Sequence, residues 1–252
     1  MRCLNCSLIF LEPQPSRSYL HNHYQDYLPA DPHSVERWRR LMLQVFSKTA
    51  KLIEEAVSRP GRLLDVGCGY GFFLKEMDRR GWQAEGIEIS TTALRYARDS
   101  LELDVSDQPL PRADWPDGCY DVITLFYVIE HLPDPMEVLK EVYRLLRPGG
   151  LLFLRWPHTA PIVKLLRPWA ERLQLYQAPS HLFDFSPLTL YKILDQSGFH
   201  EIRTTVCGWT RPTTRGAQLA AWIFGSLGEK LAKISGDRVL LPGVSKTTLA
   251  RR

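Results

Sequence analysis

What the chain lacks narrows its class before any motif is considered. No apolar run approaches the roughly 20 residues needed for a membrane-spanning helix. Met1–Phe10 is too short an apolar stretch for a signal peptide and contains two cysteines. Cysteine is sparse and odd in number, five in 252 residues, so a disulfide framework is not expected; reduced thiols in a cytoplasmic compartment are. A dominant charge is missing too. The net charge is +4, from 32 basic and 28 acidic residues, and the cations are scattered, so no nucleic-acid partner is expected. Internal repeats and low-complexity stretches are absent. What is present, 44% hydrophobic and 24% charged residues, suits an ordinary globular protein with a sizeable core.

The hydrophobic pattern divides the chain. Residues 1–32, rich in Pro, Tyr and His, read as an irregular cap, and 33–252 as one domain with its core in 62–206. Val35, Trp38, Leu41, Val45, Phe46, Ile53 and Val57 recur at helical spacing, which predicts a long helix over Ser34–Ser58, ended by Pro60-Gly61. Strand-like runs follow at Arg62–Val66, Ala84–Ile89, Leu101–Val105, Asp121–Tyr127 and Leu151–Trp156. Helical segments at Phe72–Arg80, Thr91–Ser100 and Pro135–Leu146 alternate with them, and Pro148-Gly149-Gly150 reads as a stop before the last run. Such alternation predicts βαβ units, hence an α/β fold with a mostly parallel sheet and helices on both faces. Beyond Thr159, a helix is expected over Pro187–Ser197, a strand over Gly198–Val206, an amphipathic helix over Ala217–Ile234 and a final edge strand over Lys246–Ala250.

The most informative residues are Leu63-Leu64-Asp65-Val66-Gly67-Cys68-Gly69-Tyr70-Gly71. A buried strand runs into a glycine turn and then a helix. Gly67 permits the turn, and Gly69 lets backbone approach a ligand. The first amides of the following helix point at that ligand. Glu88, at the end of the next strand, is spaced to accept both hydroxyls of a ribose. A dinucleotide fingerprint would need a small residue after Gly71, where this chain has Phe72. Asp65, two residues before the first glycine, would repel a pyrophosphate.

This D-x-G-x-G-x-G run resembles motif I of class I S-adenosylmethionine-dependent methyltransferases. The similarity extends through Asp117–Ile123, Val128–Pro135 and Leu145–Gly150, and through Ser180–Pro187 and Gly198-Phe199, roughly residues 62–206 in all. The later segments are similar to small-molecule, ubiquinone-biosynthesis-like members. The resemblance implies a Rossmann-like fold and S-adenosylmethionine as cofactor. It implies that Asp65, Gly67 and Gly69 contact the aminoacyl part, that Glu88 holds the ribose and that Phe126 lines the pocket. The adenine contact falls within 107–110. The expected activity is methylation of a small or lipid-like molecule, on oxygen. Alternatives are a non-catalytic cofactor-binding or scaffold protein and a nicotinamide-dependent oxidoreductase.

Methyl transfer needs a positioned nucleophile and, for a hydroxyl acceptor, a base. His131 and His181 are the candidates; His158 and a lid containing Tyr24 and Tyr27 are secondary. The resemblance also implies a divalent metal near Glu130 and His131, but its further carboxylate falls at Tyr127, so no metal is expected. Cys3-x-x-Cys6 resembles half of a zinc ribbon. Without a second pair, residues 1–12 are expected to be loose or to pair with another chain. Ala217–Ile234 is read chiefly as a core or capping helix, with contact to a membrane surface as the rival.

Overall fold

The computed structural model describes residues 1–111, 114–165 and 177–252. Its centre is a seven-stranded sheet of β2 (Arg62–Val66), β3 (Gln83–Ile87), β4 (Asp104–Ser106), β5 (Tyr120–Phe126), β6 (Leu146–Trp156), β8 (His200–Thr205) and β9 (Lys246–Arg251). The order is β4-β3-β2-β5-β6-β9-β8, parallel from β4 to β6, with β9 antiparallel to both neighbours. The expected α/β class is therefore observed. The final strand is a correction. β9 is inserted between β6 and β8, where Lys246, Thr247 and Thr248 are buried, so it is an interior strand. Its polar residues hid that position; Thr248 Oγ1 accepts from Trp156 Nε1 at 3.0 Å, and Lys246 Nζ donates to Leu241 O at 2.7 Å.

Side-chain alternation assigns each strand residue to a face. Leu64, Ile123, Leu125, Leu152 and Leu154 pack on α5 (Pro135–Leu145) and α7 (Pro187–Gln196). Leu63, Val122, Leu151 and Phe153 pack instead on α2 (Pro32–Ala56) and α3 (Phe72–Asp78). Both faces are thus apolar, as a parallel sheet requires. α2 starts where the Asp31 carboxylate accepts the Ser34 amide at 2.9 Å with Pro32 following, and it buries Met42, Val45, Phe46, Ala50 and Ile53 along one stripe.

Boundaries differ from expectation where glycine and proline carry two meanings. The Pro148-Gly149-Gly150 turn does not precede β6 but lies inside it as an irregularity, between the pairs Tyr120↔Leu146 and Val122↔Leu151. The helix expected through Ser100 is α4 (Thr91–Arg95) continued by a π-helical turn over Tyr96–Ser100. A short helix α6 spans Ala160–Leu165.

Residues 1–32 are not an irregular cap, nor are residues 1–12 loose. β1 (Ile9–Phe10) pairs antiparallel with β7 (Phe183–Asp184), and the Leu11 amide donates to Leu182 O at 2.8 Å. α1 (Arg17–Gln25) follows, capped by Ser16, with Leu20 buried. Cys3 and Cys6 are free thiols in a tight turn closed by the Ser7 amide on Cys3 O at 3.0 Å.

The packing beneath the glycine turn centres on Phe73, fully buried with ring centroids 5.5 Å from Phe46 and 4.7 Å from Phe126. Phe73→Ala removes this contact from two helices and a strand. The expected loss is about 3–5 kcal/mol of unfolding free energy, read as a lowered urea midpoint at unchanged slope.

Candidate active site

The site is assembled at the carboxyl ends of the parallel strands, where β2, β3 and β5 hand over to loops. Gly67, Gly69 and Gly71 all hold the left-handed conformation, with φ of 71°, 56° and 79°. At Gly67 the surroundings enforce glycine as well, because an added Cβ would lie 2.5 Å from Val128 Cγ2. At Gly69 an added Cβ would sit 3.7 Å from Leu28 and 3.8 Å from Trp38 Nε1, so the cradle is roofed by the segment entering α2. Leu28, Val35 and Tyr70 form one small buried cluster there, with Trp38 packed against it.

Glu88 ties two loops together. Its carboxylate accepts the Gly69 amide and the Ser90 amide, both at 2.7 Å. Burial pushes its carboxyl above the ordinary range, and the amides of Ser90, Gly69 and Ile89 pull it back. Asp65 is sealed against β5, where Thr124 Oγ1 donates to it at 2.6 Å. Burial pushes Asp65 up to about 8, with the Thr124 bond opposing and Glu88 adding to the rise. Two buried acids facing a glycine cradle fit a nucleoside that carries positive charge and oppose a pyrophosphate.

Other expected pocket residues are placed differently. Phe126 packs on Phe46, Phe73 and Phe153 in the core, and Val128 is the side chain over Gly67. In 107–110, Asp107 and Gln108 are exposed after β4, while Leu110 is buried in the core. Val128, Leu28 and Trp38 carried no signal as cradle residues, since apolar residues at helical or strand spacing read simply as core.

The histidine pair lies where the loop after β5 meets the loop before β7. The His131 and His181 rings are edge to face, 4.8 Å apart. His131 Nδ1 is 2.8 Å from Ser180 O, and a carbonyl only accepts, so Nδ1 carries the proton. The Tyr24 hydroxyl donates to that same carbonyl and lies 2.9 Å from Nδ1, where its oxygen accepts. Nε2 of neutral His131 therefore keeps its lone pair. Burial lowers His131 below the ordinary imidazole range and takes His181 down to about 4, so both are neutral at pH 7. His158 is likewise lowered to about 4 by burial, but packs on Trp156, with ring centroids 5.8 Å apart.

Glu130 completes the group. It is 1% exposed, and neither carboxylate oxygen has a hydrogen-bond partner among the described residues. Burial pushes its carboxyl up to about 8. One ligand atom each from Glu130, His131 and His181 lies within 4.8 Å of the others, a donor set suited to a divalent ion. Tyr127, which stands where the resemblance places a carboxylate, instead bonds Arg155 at 2.9 Å and Ser245 at 3.1 Å. The expectation of no metal rests on the carboxylate missing at Tyr127; in the structure His181, 50 positions after His131, stands beside Glu130 and His131 as a third potential donor.

Comparison with known proteins agrees with this geometry. A methyltransferase-domain family matches residues 36–203, more than half of the chain, and the chain belongs to that family. It is similar to a ubiquinone biosynthesis O-methyltransferase of Xanthomonas campestris, with 35% identity over 113 residues that cover 42% of this chain and 47% of that one. A protein so named from Nitrosococcus oceani is 32% identical over 130 residues, 49% and 55% of the two chains. The chain thus spans about half the length of the curated relatives it matches. Among solved structures, a SAM-dependent methyltransferase from Archaeoglobus fulgidus superposes with a TM-score of 0.58 at 19% identity, covering 88% of this chain and all of that one. A Haemonchus contortus phosphoethanolamine N-methyltransferase has a TM-score of 0.54 at 16% identity, covering 82% and 52%. These likenesses establish the class I methyltransferase fold.

The orphaned Glu130 carboxyl makes a pH signature. Its folded value, about 8, exceeds its ordinary 4.5, so the fold favours the protonated form. Its contribution to stability is present below pH 4.5 and is lost as pH rises toward 8. Glu130→Gln, which stays neutral, is expected to melt with a shallower decline over that window than the unsubstituted protein, measured by calorimetry across pH.

Proposed function

We propose that the protein is an S-adenosylmethionine-dependent methyltransferase that methylates a hydroxyl oxygen of a small or lipid-like molecule. The observation carrying the reading is the glycine cradle with Glu88 across it, and a neutral histidine pair whose His131 follows, by three residues, the Val128 that packs on Gly67. The cytoplasm is the compartment proposed with it. When bound, the cofactor supplies a methyl group on a sulfonium, already activated toward displacement. Gly67, Gly69 and Asp65 hold the aminoacyl end, Glu88 accepts the ribose hydroxyls, and the roof of Leu28 and Trp38 excludes water. Asp107 or Gln108 meets the adenine.

On the acceptor side, His131 Nε2 would take the proton of the acceptor hydroxyl, so that its oxygen could receive the methyl group the bound cofactor would supply. Ser180 O and the Tyr24 oxygen hold Nδ1–H, and so stabilise the imidazolium that forms. His181 orients the acceptor. A second reading is favoured by the Glu130, His131 and His181 cluster: these three would hold a divalent cation, which would lower the pKa of an acceptor hydroxyl bound to it. The names of the ubiquinone-biosynthesis relatives support the acceptor class, and the position of the cluster supports the site.

Calorimetric titration tests the cofactor. S-adenosylmethionine and S-adenosylhomocysteine are expected to bind, NADH is not, and Glu88→Ala is expected to lose both sulfur nucleosides. A well-folded protein that binds neither would refute the reading. With an acceptor in hand, His131→Asn is expected to lower kcat by about 10²–10⁴. The acid limb of kcat/KM should fall below the ordinary imidazole value of 6.5, because burial keeps His131 neutral to lower pH. A limb above 6.5 would remove His131 as the base.

A further inference from the structure

The last helix, α8 (Arg215–Ser235), is built inside out for a capping helix. The residues it buries are small: Gly225, Gly228 and Ala232, spaced as one helical face. A Cβ on Gly225 would lie 2.7 Å from the Trp209 ring, and one on Gly228 3.4 Å from Val206, so these glycines let the backbone lie flat on the domain. The large apolar side chains cover the rest of its circumference, with Leu219, Ile223 and Leu227 opposite the glycines and Trp222 and Phe224 on the two flanks. Leu219 and Trp222 are each 57% exposed, Phe224 56%, Ile223 45% and Leu227 44%. An apolar patch of that kind on a folded domain marks a contact surface.

The charge around the patch identifies what it contacts. α8 carries Arg215, Lys230 and Lys233, all exposed, and one acid, Glu229, which is neutralised by Lys48 at 2.6 Å. Beside its N-terminal half runs a groove of about 610 Å³ lined by Leu43, Trp209 and Trp222, with Arg37, Arg40 and Arg211 around it. The acid in that groove, Glu36, is already bonded to Arg39 and Arg40, each at 2.6 Å. A two-fold pairing of this face with a second copy would bring together two surfaces on which cations outnumber the acids Glu36 and Glu229, both already ion-paired. A bilayer carrying anionic headgroups complements both the apolar face and the cations at once.

We propose that α8 lies in the plane of an anionic membrane surface, with Trp222, Phe224 and their apolar neighbours among the acyl chains. The arginines of the adjoining groove and the lysines of α8 meet phosphate headgroups. The binding is independent of methyl transfer and of the acceptor, because none of these residues belongs to the cradle or to the histidine cluster.

Co-sedimentation of the full chain with phosphatidylcholine vesicles, with and without phosphatidylglycerol, is the test. Binding is expected to need phosphatidylglycerol and to weaken as salt is raised. Trp222→Glu/Phe224→Glu is expected to weaken it at least about tenfold, and Lys230→Glu/Lys233→Glu by about tenfold through the charge alone. All four positions are exposed, so the thermal melts should match that of the unsubstituted protein. Failure of the unsubstituted protein to sediment, or unchanged binding by both variants, overturns the proposal. So does a concentration-dependent dimer that Trp222→Glu/Phe224→Glu abolishes, since that result gives the face to a second copy.

Discussion

Three carboxyl groups withdrawn from water at one edge of a parallel sheet are the constraint around which the site is arranged. Removing a carboxylate from water is costly unless amides or hydroxyls replace its hydration. Glu88 has two amides, Asp65 has one hydroxyl, and Glu130 has no partner for either oxygen among the described residues. The degree of compensation falls from the first to the last. Glu88 thereby acts as a structural clamp, holding the glycine turn against the start of α4 even without a ligand. Glu130 is held in place by its neighbours alone, and it is the group with most to gain from a cation or a proton brought to the site.

The glycine turn follows from the same demand. An amide can reach the Glu88 carboxylate only if the chain after β2 turns back with positive φ, and Val128 fills the space a side chain on Gly67 would need. The turn is therefore fixed from two sides, by a hydrogen bond toward β3 and by van der Waals contact toward β5. A substitution at either partner is felt at the other, because both press on the same backbone.

Much of this was legible in the sequence, and the failures share a cause. Periodicity gave β2, α2, α5 and α7 nearly to the residue, since each alternates or repeats cleanly over several turns. The glycine spacing and Glu88 gave the cradle. β9 was misplaced because interior strands are expected to be apolar, whereas Lys246-Thr247-Thr248 is buried by bonding to carbonyls and hydroxyls of its surroundings. The N-terminal segment read as irregular because β1 is two residues long and its partner β7 lies more than 170 positions away. His181 is named from the sequence as a candidate, but its place beside Glu130 is not, because it reaches the site through a loop and no local pattern encodes that approach. α8 is observed where an amphipathic helix is expected, but periodicity alone does not say which stripe is buried.

The N-terminal segment joins the two halves of the site. Pro29 O accepts the Tyr70 hydroxyl beside the glycine turn, and Leu28 and Trp38 lie over Gly69. A few residues earlier, Tyr24 and His23 bond the carbonyl and hydroxyl of Ser180, whose carbonyl fixes the tautomer of His131. One continuous stretch thus roofs the cofactor cradle and orients the proposed base. Leu28 and Trp38 over Gly69 and Tyr24 beside His131 lie on the same stretch, so the cover of the cradle and the orientation of the histidine depend on one segment. That economy suits the proposed methyl transfer, in which an acceptor oxygen, a base and a methyl group would be brought into line with water shut out.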